Sequence, residues 1–507
     1  MLGTGGFLTL LAVAFSLRTT PPVQAVSQNE KAVSVEEEVG AAQTVAATGV
    51  APAVAAALPR ESEPWDYIDR PASASSIEAA LATPADEIYY VKVDQTRLAP
   101  GASVLRQEGA RIDMTLPSGE VVPVVMGPSE LLGPDRYIAE AGIEGSEHGR
   151  AVFAYNEGEL SASIDDLELG SWQVRSVGDS VAQVFKVNDT LVPPCGVDGH
   201  AHSTATQAAT SEPAVDLPGA PAPAMGAVSG NYARSITGSW PLASLLSGTT
   251  TEIRVLVPFS KSLLKSHKES AVRSQIDLAM AVTNDNLKRS GVNLRVRLAG
   301  APSVQYNQEN SGSSSTVLDN ALKHLSSSVD GVLDNIHVQR GEAQADVVVL
   351  LLGRADSNNS GIGYILARPG DAFNATWAFS VVNYSYMLTG GTFTHEIGHN
   401  LGCNHDRGNA RTTTGVSMGG SYSYSYGHRF KGSNGSTYRT IMAYAPGGVV
   451  PYFSNPKIKV NGAAAGVETG RSGEAYNALT IQKNAAEVSN YSGTRAVQRT
   501  MRRLRGY

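Results

Sequence analysis

The chain has 507 residues, long for one domain, with a formal net charge of −7 at pH 7 and a sequence pI near 5.9. That balance gives no case for nucleic-acid binding, and two cysteines, Cys195 and Cys403, exclude a disulfide-rich scaffold, so stability must come from a buried apolar core. No apolar stretch approaches the roughly 20 residues of a membrane span, so no span is expected.

Phe7 to Leu17 (FLTLLAVAFSL) is apolar, too short for a stable anchor, and followed by Pro21-Pro22 and a small-residue site ending at Ala25. Residues 1–25 therefore read as a secretion signal cleaved after Ala25, although no Lys or Arg precedes the apolar run. Residues 26–85 have little periodic hydrophobicity and read as a mobile lead-in. From Asp86 short alternating runs appear, among them 88–93, 110–116, 121–125 and 151–155, and Trp172–Val177 with Val181–Val187 forms a hairpin about Gly178-Asp179. Residues 86–200 are thus a β-rich module without a catalytic cluster. Residues 201–229, rich in Ala, Pro, Ser and Thr, cannot bury a core and form an exposed linker where proteases cut.

Residues 230–493 follow an α/β pattern. Strands are expected at 253–257, 292–298, 347–352, 361–365 (at the edge) and 378–382. Helices are expected through Val272–Leu287, about Thr316–Leu325, Leu388–Leu401 and Asn477–Ser489. The arginine-rich tail 494–507 reads as a solvated end.

Residues 395–406 carry the chemistry. They read H-E-x-x-H-x-x-G-x-x-H-D, from His395 and Glu396 through His399, Gly402 and His405 to Asp406. His395 and His399 lie one helical turn apart on one face, and Gly402 can end the helix at positive φ so that His405 swings back. Three neutral imidazoles on Zn²⁺ leave the fourth tetrahedral position open for water, as in catalytic rather than structural sites. Glu396, not itself a ligand, lies beside that water and can take its proton.

The stretch resembles the metzincin signature, and Thr440-Ile441-Met442-Ala443-Tyr444 resembles the Met-turn of that family. The resemblance implies that Met442 floors the three histidines and that Asp406 follows the reprolysin (adamalysin) branch. It also implies that Tyr444 acts as a fifth metal ligand or oxyanion donor, or else is a buried phenol bonded to backbone. The mixture looks most like bacterial secreted reprolysin-like proteases, including the peptidyl-Asp metalloendopeptidase group. The fold so implied is an α/β (α+β) metzincin-like catalytic domain, with a twisted mixed sheet and an active-site helix, behind a β-rich propeptide module. An independent binding module is the rival for residues 86–200.

Pro193-Pro194-Cys195-Gly196-Val197-Asp198 resembles the cysteine switch of matrixins and the Cys-Gly-Val of reprolysin propeptides. It has Pro194 where an arginine normally pairs with a nearby aspartate, which leaves any lock on Asp198 open. Cys195 then fills the open zinc position of a latent zymogen, with the propeptide as intramolecular inhibitor. A packed free thiol and a disulfide to Cys403 are the alternatives. The function expected is a secreted zinc endopeptidase acting on protein or peptide substrates. Its rivals are a zinc protease of another clan, whose third ligand is usually a distant Glu, and a binding module that keeps the fold only. His428 reads as structural.

Overall fold

A computed structural model of the chain describes residues 60–73, 83–196, 250–309, 313, 316–353, 358–371, 374–410 and 419–493. The expected signal, most of the lead-in, the linker at 201–229, Asp198 and the tail at 494–507 lie outside them.

The N-terminal half is a ten-stranded sheet. Its strands are β1 (Arg60–Ser62), β2 (Trp65–Ile68), β3 (Tyr89–Val93), β4 (Arg111–Thr115), β5 (Val121–Gly133), β6 (Arg136–Ile143), β7 (Arg150–Asn156), β8 (Glu159–Asp166), β9 (Gly170–Gly178) and β10 (Val181–Lys186), with a one-turn helix α1 (Gln95–Leu98). Their order is β1-β4-β5-β6-β7-β8-β9-β10-β3-β2, antiparallel except for β1 on β4. The sheet therefore begins at Arg60, before the boundary expected at residue 86, because β1 and β2 pair as short outer strands with little periodicity of their own. The hairpin expected at 172–187 is β9–β10.

The second half is built on a parallel sheet. The strands are β11 (Thr251–Leu256), β12 (Phe259–Ser260), β13 (Leu294–Gly300), β14 (Ser303–Val304), β15 (Val347–Leu352), β16 (Gly361–Gly363) and β17 (Phe379–Asn383). β15 is buried at every position, as its unbroken apolar run requires, and pairs with β11, β12 and β17. β16 alone runs antiparallel, on the outside of β17. Helices α2 (Glu269–Arg289), α3 (Val317–Ser326), α4 (Asn335–Glu342), α5 (Thr392–Asn400) and α6 (Asn477–Val488) complete the domain. Sequence patterning misses α4, β12 and β14, each too short to show a period.

α2 is the shared wall between the halves. Val152 and Ala154 of β7 pack on Leu278, Ala281 and Val282, so β7 is buried on both faces. Arg136 pairs with Asp277, Arg150 with Asp285, and the Ser274 hydroxyl donates to the Ala154 carbonyl at 3.1 Å.

Candidate metal centre and cleft

The helix bearing the motif is shorter than its periodicity suggests. Gly390 (φ 59°) and Gly391 (φ 74°) hold left-handed backbone, so α5 starts at Thr392 rather than near Leu388. Polar contacts fix it on both sides. Ser380 of β17 donates to Asn400 at 2.6 Å, Asn400 donates to the carbonyls of Tyr364 and Phe379, and Thr394 bonds Thr283 of α2 at 2.8 Å. At its end Gly402 sits at φ 92°, with Ser421 and Asn484 packed where a Cβ would project. The chain turns there into β18 (Asn404–Asp406), which carries His405 back.

The three imidazoles meet at their Nε2 atoms. His399 and His405 are 3.0 Å apart, and His405 and His395 3.1 Å. His395 donates from Nδ1 to the Ile441 carbonyl, and His399 from Nδ1 to the Cys403 carbonyl, both at 2.9 Å. With those protons spent outward, the inner nitrogens of His395 and His399 present lone pairs. Burial holds both rings below the usual imidazole range, His399 at about 4, and pushes His405 well down too. One proton at most, on His405, could sit among the three nitrogens. A soft-to-borderline cation relieves that crowding, and the nitrogen and sulfur donors suit zinc.

Cys195 joins them. Its thiol lies 3.6 Å from His399 Nε2, and the ligand atoms of Cys195, His395, His399 and His405 all fall within 4.8 Å of one another, fully buried. Both cysteines are free, so the alternative disulfide to Cys403 does not form. The Cys195 segment follows the sheet edge: Ser360 N–H donates to the Pro194 carbonyl at 3.0 Å and Gly196 N–H to the Gly361 carbonyl at 2.7 Å. Both partners advance together, so the segment runs in the direction of β16.

Glu396 is fully buried, and neither carboxylate oxygen has a hydrogen-bond partner among the described residues. Burial raises its carboxyl to about 8, eased by the Cys195 thiol beside it. Gly361 and Gly363 make its space, since a Cβ on Gly361 would stand 2.6 Å from Oε1. That role of two edge-strand glycines is one the sequence reading passed over.

Met442 is buried against α5, its sulfur 2.7 Å from where a Cβ on Gly398 would lie. Asp406 is a tie rather than a ligand. It accepts from Arg429 at 2.8 Å, from the Tyr444 N–H at 3.1 Å and from Asn409 at 2.7 Å, binding β18 to the turn after Met442. The Tyr444 ring stands 4.4 Å from that of His405, its hydroxyl directed to Cys195. His428 lies outside the cluster, stacked on Phe430.

Residues 249–454 match the family model Reprolysin_5, described as metallo-peptidase family M12. The chain is similar to peptidyl-Asp metalloendopeptidases of Stenotrophomonas maltophilia strain R551-3 (32% identity over 229 residues, 45% of this chain and 50% of that protein) and strain K279a (33% over 228 residues, 44% and 50%). It is also similar to that of Xanthomonas campestris pv. campestris (30% over 252 residues, 49% and 54%). It spans about half the length of these curated relatives.

Proposed function

We propose that this chain, whose residues 249–454 form a reprolysin-like metallopeptidase domain, is a secreted zinc endopeptidase held latent by its own N-terminal half. The observation that carries the reading is the convergence of three neutral imidazoles beside an unpartnered, buried Glu396, beneath a segment that pairs with the sheet edge.

His395, His399 and His405 would hold the metal, with Cys195 as fourth ligand in the covered form. Bound zinc lowers the pKa of a coordinated water toward ~7 and polarises the scissile carbonyl. Glu396 takes the proton of the attacking water and returns it to the leaving amine. The 8 to which burial raises its carboxyl belongs to the covered arrangement, and a neighbouring positive charge would favour the carboxylate. Tyr444, freed from the Cys195 carbonyl, donates its O–H to the developing oxyanion. β16, released by residues 194–196, offers its backbone to align the substrate as an added strand.

Arg60–Gly196 acts in this reading as the propeptide. The relatives are named for aspartate, which supports peptides containing that residue as substrates. Secretion rests on residues 1–25; among the described residues no helix is long and apolar enough to cross a membrane. The experiment is digestion of casein by the purified, processed protein, with zinc quantified by mass spectrometry. Activity abolished by a chelator and restored by Zn²⁺ is expected; a zinc-loaded protein that cleaves nothing would sink the reading.

A further inference from the structure

Arg439 is a mostly buried cation near His395 for which the reaction above has no use. It ends a short strand, β19 (Thr437–Arg439), one residue before the turn that carries Met442. Its Nε donates to the Gly447 carbonyl at 2.9 Å and its Nη1 to the Ala443 carbonyl at 3.0 Å. Those bonds fix the plane of the guanidinium and leave Nη2 facing Asp189, whose Oδ2 is 3.6 Å away. The Arg439 side chain is only 11% exposed.

Asp189 belongs to the covering segment. It opens a 3₁₀ turn (Asp189–Leu191), and the chain then runs through Val192-Pro193-Pro194 to Cys195 at the imidazoles. One segment thus places a thiol at the metal position and a carboxylate at Arg439. When it leaves, the thiol gives way to substrate at one point and the carboxylate at the other. Arg429, on the neighbouring strand, is already committed to Asp406 at 2.8 Å. A fixed, largely desolvated guanidinium that loses its carboxylate is a receptor for another one, because a neutral isostere would leave it unpaired.

We propose that Arg439 is the specificity residue that binds a carboxylate side chain of the substrate, and that Asp189 occupies its place in the covered chain. This rests on the endopeptidase reading and supplies its selectivity. A side chain is meant rather than a chain end, since an endopeptidase cuts within a chain.

The test uses the processed enzyme and C-terminally amidated peptides identical except for Asp, Glu, Asn or Lys at one position scanned across the cleavage site. The unaltered enzyme should favour Asp over Asn by on the order of 10²-fold in kcat/KM. Arg439→Met should lower the Asp peptide by about that factor and the Asn peptide by less than about threefold. Arg439→Lys, which keeps the charge without the fork, should retain a reduced preference for acid and decides the matter should Arg439→Met fail to fold. An Asp preference undiminished in both variants, or equal losses on Asp and Asn peptides, overturns the proposal. An enzyme that cleaves all four peptides alike overturns it too, while leaving the endopeptidase reading intact. Zinc-loaded protein that cleaves none of them tells instead against that reading.

Discussion

The hydroxyl of Tyr444 donates to the backbone carbonyl of Cys195 at 2.8 Å, so the residue proposed to stabilise an oxyanion already holds a carbonyl oxygen. The covering segment offers it the group a substrate would offer. Tyr444→Phe should therefore act twice: the processed enzyme loses ~10²–10³ in kcat, and the unprocessed chain holds residues 194–196 less firmly. Single-turnover kinetics and hydrogen exchange at Gly196 measure the two effects. Unchanged values in both would reduce the phenol to a packing group.

Replacing Glu396 by Gln should leave zinc content unchanged, because the imidazoles remain, while turnover falls by at least ~10². Zinc analysis and peptide kinetics on the same sample separate the roles. A Glu396→Gln enzyme with near-normal turnover would show that the proton goes elsewhere.

Cys195→Ser in a chain prevented from processing should release activity toward a short peptide that needs only the cleft. A hydroxyl is a poorer zinc ligand than a thiolate, and the tether gives the thiol an effective concentration on the order of millimolar. Silence equal to the unprocessed parent would place the latch in the backbone bonds to Ser360 and Gly361 instead.

Chelation should do more than stop turnover. Removing the cation leaves lone pairs about 3 Å apart at the imidazole cluster, so Tm should drop with the activity and both should return with Zn²⁺. Calorimetry with and without chelator reads this, and an unchanged Tm would argue that the site holds no metal tightly.

Acid should break the buried ion pairs of Asp285 between the halves only at low pH. Burial works against ionising Asp285, but Arg289 and Arg150 outweigh it and hold its carboxyl at about 2. A depressed pKa contributes stability above the unfolded value near 3.9, lost as pH falls through about 2. For this buried group the contribution is on the order of 2 kcal/mol. Asp277, raised by burial despite Arg136, adds no such acid-labile term. The Asp285 ion pairs with Arg150 and Arg289 should therefore still hold at pH 4–5. Arg150→Met, which strands Asp285 beside one partner, should destabilise by roughly 3 kcal/mol. An Asp285 carboxyl that NMR titration shows to protonate already at pH 5 would contradict this.

The twelve residues from His395 to Asp406 state the site because a helix converts a spacing of four into a shared face, and no other element need be known. β15 is legible for a similar reason, since only a strand buried on both faces can be apolar throughout. What brings Cys195 to His399, more than 200 residues away, is tertiary: pairing with β16 and docking of a sheet on α2. The part played by Gly361, Gly363 and Arg439 is illegible for the same cause, because each acts on a side chain far away in sequence. Asp406, read as a branch marker and structural support, ties three segments together through Arg429, Tyr444 and Asn409.

From Ser274 to Thr283 every residue of α2 is buried, one side by the parallel sheet and its helices, the other by β7 and its neighbours. Such a helix has no water-facing stripe to tell it which way to turn. A catalytic half made alone would present Leu278, Ala281 and Val282 to solvent while folding, with Asp277 and Asp285 short of their arginines. On the proposed reading, the N-terminal sheet would then serve as a template for the enzyme as well as its restraint. Cutting it away before α2 has settled should yield aggregate, whereas cutting afterwards should yield enzyme.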